Sequence, residues 1–265
     1  MGNQQSININ KKLLTYLYVG SLLLLNSCKS EPIEPVNTLS VPTAGISSSE
    51  PSLHKSENGT IYLSWIEKSE DTLSYLKFST FNNSEWSKPK TIAKGNDWFV
   101  NWADFPSITS FGESNLAAHY LQKSADDTYA YDVKLIQSSD NGETWNTSFK
   151  PHTDNTNTEH GFVSKVAIDN NSYLSVWLDG RQVAYAETDS TLQKQMSLRS
   201  AVFNSKGELI EEHLLDNRVC DCCQTDVAMT KEGPIVVYRN RSEDKIRDTY
   251  YDKQVNGKWT NPKTI

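Results

Sequence analysis

From about residue 50 to the end of the chain, apolar residues come in short runs rich in Tyr, Trp, Val and Ile. Clusters of Asn, Asp, Gly and Ser separate them, as in Ile61-Tyr62-Leu63-Ser64-Trp65 after the Asn58-Gly59 turn. Alternation of period two between turn signals predicts many short strands, and the 3.6-residue period of an amphipathic helix is nearly missing. The pattern predicts an all-β fold.

The runs also repeat. Pro51-Ser52-Leu53, Pro106-Ser107-Ile108, Val163-Ser164-Lys165 and Gln224-Thr225-Asp226 each lead through a turn to an aromatic at the same offset: Trp65, Tyr120, Trp177 and Tyr238. These starts recur roughly every 55–60 residues, a period that points to one supersecondary unit per repeat. A second hairpin follows in each unit, led by Leu73 to Thr80, Tyr131 to Ser138, Met196 to Phe203 and Thr249 to Val255. Trp86, Trp145 and Trp259 follow its turn in three units, where the third unit has Leu209. The tails Trp86-Ser87-Lys88-Pro89-Lys90-Thr91-Ile92 and Trp259-Thr260-Asn261-Pro262-Lys263-Thr264-Ile265 are nearly the same sequence twice. Four strands per repeat predict a β-propeller of four-stranded antiparallel blades. Four blades are visible over residues 49–265, and they are expected to be part of a larger propeller that is incomplete at the C-terminus.

The second unit contains Ser138-Ser139-Asp140-Asn141-Gly142-Glu143-Thr144-Trp145, which resembles the Ser-x-Asp-x-Gly-x-Thr-Trp Asp box of sialidases and related propellers. Its physics is that of a tight turn: Asp140 accepts backbone N–H groups, Gly142 takes a positive φ and Trp145 packs between blades. Ser138, Asp140, Gly142, Thr144 and Trp145 are therefore structural, because the box lies on the blade rim. The resemblance implies a six-bladed, sialidase-like exo-glycosidase scaffold that acts on or binds glycans. A retaining sialidase uses three arginines on the substrate carboxylate, an acid/base Asp and a Tyr–Glu nucleophile pair. The family's first arginine precedes an Ile-Pro pair before an inner strand; here the matching positions hold Ser49 and Asp104. Arg181, Arg199, Arg239, Arg241 and Arg247 remain as clamp candidates, with Arg239 and Arg241 the densest pair.

If successive units fan around an axis, the segments before each inner strand meet at one mouth. Those segments are 97–104, with Trp98, Phe99, Trp102 and Asp104; 158–161, with Glu159 and His160; and 218–223, with Cys220, Cys222 and Cys223. Asp104 and Glu159 are the acid–base candidates, and Trp98 and Trp102 the candidates for stacking on a sugar or other small-molecule ligand. The bland reading makes the aromatics a channel plug and the acids solvated. Cys-x-Cys-Cys with His160 offers ligands for copper or zinc, with His152 as an outside candidate. The competing reading is a Cys220–Cys222 or Cys222–Cys223 disulfide with one thiol left over.

The net charge of −7 and the missing basic cluster argue against nucleic acid as a partner. At the other end, Lys11 and Lys12 precede an uncharged run from Leu13 to Leu25, too short for the about 20 residues of a spanning helix but fitting a signal-peptide core. It closes on Leu25-Asn26-Ser27-Cys28, which resembles the lipobox of bacterial lipoproteins. That resemblance implies lipidation at Cys28, a signal peptide over 1–27, a tether over 28–48 and anchorage to the membrane of the bacterial cell envelope. An ordinary secretory signal with a chance cysteine is one alternative; Met1-Gly2 followed by Ser6 also fits an N-myristoylation pattern, against which the apolar core directly behind it argues.

Overall fold

The structure is a computed structural model that describes Gly45, Ser47–Glu70 and Thr72–Ile265. The signal-peptide, lipidation and most of the tether expectations lie outside the described residues. Those residues belong to one compact unit, and no helix among them is long and apolar enough to cross a membrane.

The chain forms four antiparallel sheets in sequence order. Blade 1 comprises β1 (Ser48–Lys55), β2 (Ile61–Lys68), β3 (Ser74–Asn82), β4 (Glu85–Trp86) and β5 (Lys90–Gly95), with β4 and β5 both paired to β3. Blade 2 comprises β6 (Ile108–Phe111), β7 (Asn115–Lys123) and β8 (Tyr131–Ser138). Blade 3 runs through β9 (His160–Asp169), β10 (Ser172–Asp179), β11 (Met196–Asn204) and β12 (Leu209–Val219). Blade 4 has β13 (Asp226–Met229), β14 (Pro234–Arg239), β15 (Thr249–Val255), β16 (Lys258–Trp259) and β17 (Lys263–Thr264). Blade 2 departs from the expected four strands. Beyond the Asp box its chain follows an irregular path, and only the bridge between Leu135 and Phe149 marks the place of a fourth strand. A helix not expected from the pattern, α1 (Arg181–Thr188), interrupts the connection from β10 to β11.

Period-two alternation explains how the blades pack. Along β10 every residue is buried. Leu174, Val176 and Leu178 face the core shared with Val227, Val236 and Tyr238 of blade 4. Tyr173 and Trp177, on the opposite face, join Phe111, Leu121 and Leu135 of blade 2. A third core unites Tyr62, Ile66, Leu76 and Phe78 of blade 1 with Ile108, Leu116 and Ile136 of blade 2. Each interior blade thus buries both faces between its sequence neighbours, and truncating a side chain such as Trp177 would cost ~3–5 kcal/mol. The inner strands β1, β6, β9 and β13 follow one another in space as in sequence. Between them lies a cavity of about 1180 Å³, lined by residues that include His54, Ser107, Lys165 and Asp226.

The duplicated tails adopt the same local structure. Trp86 pairs with Phe81 and Trp259 with Gln254, after which residues near Thr91 and Lys263 return to the same strand. Both hairpins turn on two positive-φ residues, Asn83–Ser84 and Asn256–Gly257, the geometry that suits the twist of flanking strands.

Candidate active site

Three inter-blade segments meet near one end of the inner strands. The first, 97–104, is tied to β7: Phe99 N–H donates to Leu121 O at 3.0 Å and Lys123 N–H to Asp97 O at 2.8 Å. An Asn101 side chain that accepts from Ala103 N at 2.8 Å turns the chain into Asp104. Gln224, next after the third segment, donates to Ala103 O. In the second segment, Gly180 N–H holds the Glu159 carbonyl at 2.9 Å, and Glu159 bridges to Tyr131 at the start of β8.

The centre is a carboxyl–phenol–carboxyl trio. The Tyr131 hydroxyl lies 2.8 Å from Asp104 Oδ2 and 2.8 Å from Glu159 Oε1. A phenol carries one proton, so it can donate to only one of these oxygens; the other is best served when its own carboxyl is protonated. Asp104, 1% exposed, also accepts Phe162 N–H at 2.8 Å on Oδ1. Burial pushes its pKa up to about 7 against those two hydrogen bonds. Glu159 is only half-buried, and burial followed by the charges of Asp104 and Asp221 raises it to about 7. Tyr131 is held far above its ordinary value by burial and by both carboxylates, so it stays a phenol. Phe99 stacks on its ring at 4.1 Å and 8°.

The backbone makes room for the trio. A Cβ on Gly161 would fall on the Asp104 carboxylate and crowd the Tyr131 ring. Phe162 sits at φ 54, a conformation unfavourable for a bulky side chain that aims its N–H at Asp104.

Other residues singled out from sequence fall in several places. Trp102 is 83% exposed beside the mouth segment, whereas Trp98 stacks on Tyr120 at 4.4 Å and packs against the core of blades 1 and 2. Trp98 therefore serves packing. Arg241 reaches Asp221 at 3.2 Å and Arg247 reaches it at 3.7 Å, while Arg239 Nε donates to Arg247 O at 3.3 Å. Arg181 forks onto Asp179 with two 2.7 Å bonds, and Arg199 pairs with Glu212 at 2.9 Å. Four of the five clamp candidates are thus bound to carboxylates, and the three-arginine arrangement is not assembled among the described residues.

The structure places the three cysteines together but His160 elsewhere. Cys220 and Cys223 form a disulfide with Cα atoms 5.7 Å apart, a pairing different from both expected ones. Two of the four donors are consumed, and Cys222 remains an exposed free thiol 4.0 Å from Cys220 Sγ. His160 turns away to a buried cluster with Asp132, His152, Asp154 and Asp179. Asp132, Asp154 and Tyr131 lie in stretches that read as ordinary strand or loop, and no local signal marks them.

Lys165 clips blade 3 to blade 2. Its buried ammonium reaches Ser107 Oγ at 2.7 Å, Ser107 O at 3.3 Å and His119 Nδ1 at 2.7 Å. Burial lowers its pKa to about 7. Three acceptors use its three donors, so the inner strands are cross-linked here with no donor left for a ligand.

No family model matches the chain, and no curated protein matches it. Solved structures do. The α-L-arabinofuranosidase Arb93A from Fusarium graminearum aligns with TM-score 0.54 and 10% identity over 82% of this chain and 65% of that one. An α-L-arabinanase from Penicillium chrysogenum gives 0.51 and 13% over 80% and 64%, and a Dyadobacter fermentans protein of unknown function gives 0.53 and 15% over 82% and 68%. The chain spans a little under two thirds of the first two. At this identity the likeness is one of fold: an all-β, propeller-like arrangement shared with glycoside hydrolases, sialidase being too narrow a name for it.

Proposed function

We propose that the mouth hydrolyses glycosidic bonds, with Glu159 as general acid. The observation that carries this is a half-exposed carboxyl held near pKa 7 beside a buried phenol–carboxyl pair. Such a group is still about half protonated at neutral pH and can donate to the leaving oxygen as the glycosidic bond breaks. Asp104 is too buried to reach a sugar; it keeps the trio protonated. Asp221, paired with Arg241 and Arg247 and near enough for its charge to act on Glu159, supplies the second carboxylate, which orients water or steadies the positive charge on the ring. Exposed Trp102 offers an aromatic face for a sugar.

The substrate is a neutral glycoside, because the described arginines are largely spent on protein carboxylates. A sialidase is the second reading, favoured by the Asp box at Ser138–Trp145; Tyr131 is too buried to act as the tyrosine nucleophile that sialidases use. Assaying the full chain against aryl arabinofuranosides, xylosides and sialosides separates the two. Release from a neutral glycoside, abolished by Glu159→Gln, is expected; release from the sialoside alone would reverse the order. A folded wild-type chain inert on all of them would remove both, and glycan binding without turnover would mark a non-catalytic module. We also propose anchorage to the cell envelope through lipid on Cys28, supported by the lipobox-like sequence. Cys28→Ala should move the protein from the membrane fraction to the soluble one.

A further inference from the structure

Behind the mouth, where residues 149–160 run from blade 2 into β9, lies a group of side chains that the reaction does not use. His152 and His160, 1% and 0% exposed, stack at 3.7 Å with a 4° interplanar angle. One carboxylate holds both rings: His152 Nδ1 lies 2.7 Å from Asp154 Oδ1, and His160 Nε2 lies 3.3 Å from Asp154 Oδ2. Thr156 N–H fixes that carboxylate in turn at 3.1 Å. With Nδ1 donating to Asp154, His152 turns its Nε2 lone pair toward a second carboxylate. Asp132 Oδ1 is 3.5 Å from His152 Nε2 and 3.8 Å from His160 Nδ1. The Thr158 carbonyl stands 3.1 Å from the same His160 Nδ1.

That arrangement sets acceptor against acceptor. Like His160 Nε2, both Asp132 Oδ1 and His152 Nε2 are buried with no hydrogen-bond partner, and leaving one such atom unsatisfied costs about 1–3 kcal/mol. Something positive belongs between them. A metal ion serves both imidazoles at once. Ligand atoms on an ion with bonds of about 2.0–2.2 Å lie roughly 3–3.5 Å from one another, close to the spacings seen. Imidazole ligands whose other N–H is given to a carboxylate are the usual outer shell of such sites.

We propose that Asp132, His152 and His160 bind a divalent first-row transition metal of the zinc class, with Asp154 orienting both histidines. Two nitrogens and one carboxylate oxygen suit zinc better than calcium or magnesium, which prefer all-oxygen cages. On binding, the near-parallel rings must splay and His160 Nδ1 must give up the proton it shares with Thr158 O, so that each lone pair points at the ion. The ion would pin the segment that delivers Glu159 to the mouth, so its role is structural. This inference is independent of the glycosidase reading, since none of its readouts requires turnover.

The test uses the full chain, stripped with chelator and titrated with zinc and with cobalt. Wild type should take up about one ion per chain, show cobalt d–d absorption with histidine ligation, and melt at a higher temperature with zinc. Asp132→Asn, at a partly exposed position, should fold yet lose uptake and the zinc-dependent rise in Tm. His152→Ala should do the same, and Asp154→Asn should weaken binding by roughly 10–100-fold. Cys222→Ser should leave uptake intact. No uptake by folded wild type, or uptake that survives Asp132→Asn and vanishes with Cys222→Ser, would overturn the assignment.

Discussion

Two aspartates on neighbouring stretches of blade 2 show how context divides one side chain into two jobs. Asp140 lies in the Asp-box turn on the rim, where it accepts Thr144 N–H at 2.9 Å, Thr144 Oγ1 at 2.6 Å and Ser138 Oγ at 2.7 Å. Those donors favour the ionised form and hold its pKa down to about 2. Asp104, out of water at the mouth, is pushed the other way, up to about 7. Every partner of Asp140 lies within four residues of it. Those of Asp104, namely Tyr131 and Phe162, come from β8 and β9. The rim carboxylate stabilises a local turn; the mouth carboxyl exists only because whole blades are packed together.

The largest effect that would sharpen this contrast is catalytic. Glu159→Gln keeps the shape of the mouth and removes its acid, so kcat/KM on a responsive glycoside should fall by about 10²–10⁴-fold, while Asp140→Asn leaves it within a factor of about two. Equal losses in both variants would erase the distinction between rim and mouth.

Stability against pH comes next. The folded state holds the Asp104 proton more tightly than the unfolded chain does, so this group stabilises the fold at low pH. Its contribution is lost as pH rises from about 4 to about 7. Asp104→Asn should flatten that part of the urea-unfolding profile by on the order of a few kcal/mol. Asp140 acts with the opposite sign, losing its contribution only as pH falls from about 4 towards 2.

A packing test follows. Gly161→Ala places a methyl group against the Asp104 carboxylate and should cost about 1–3 kcal/mol in chemical denaturation. The smallest effect belongs to the rim: Asp140→Asn should lower Tm slightly, detectable by calorimetry, because its bonds are exposed to water.

What the sequence disclosed follows the same division. Tyr131–Ser138 and Thr249–Val255 were legible as strands to the residue, because alternation and turn residues are local signals. In the Asp box, Gly142 has φ 78, and Trp145 meets Phe78 of blade 1 edge-on at 6.1 Å; both could be anticipated from the motif. Segment convergence at the mouth was legible too, through the repeat, and it brought Asp104 and Glu159 into view. The phenol joining them was not, since Tyr131 reads as the first residue of an ordinary strand. Nor was the Cys220–Cys223 pairing, which depends on the path of a loop. His152 and His160 are eight positions apart with no ligand spacing, and only the fold of 149–160 stacks them. A tryptophan that stands free beside a mouth and one that packs on a neighbour, as Trp98 does on Tyr120, look alike in sequence.

The measurement that bears most directly on the account is a carboxyl-carbon titration of protein labelled with ¹³C-aspartate, the Asp104 signal being assigned by its loss in Asp104→Asn. The account predicts a resonance that titrates near 7 and moves when Tyr131→Phe removes the shared hydroxyl. A signal that titrates near the ordinary 3.8 and ignores Tyr131→Phe would contradict it. Asp104 would then be solvated, and the mouth would lack the buried pair on which the chemistry rests.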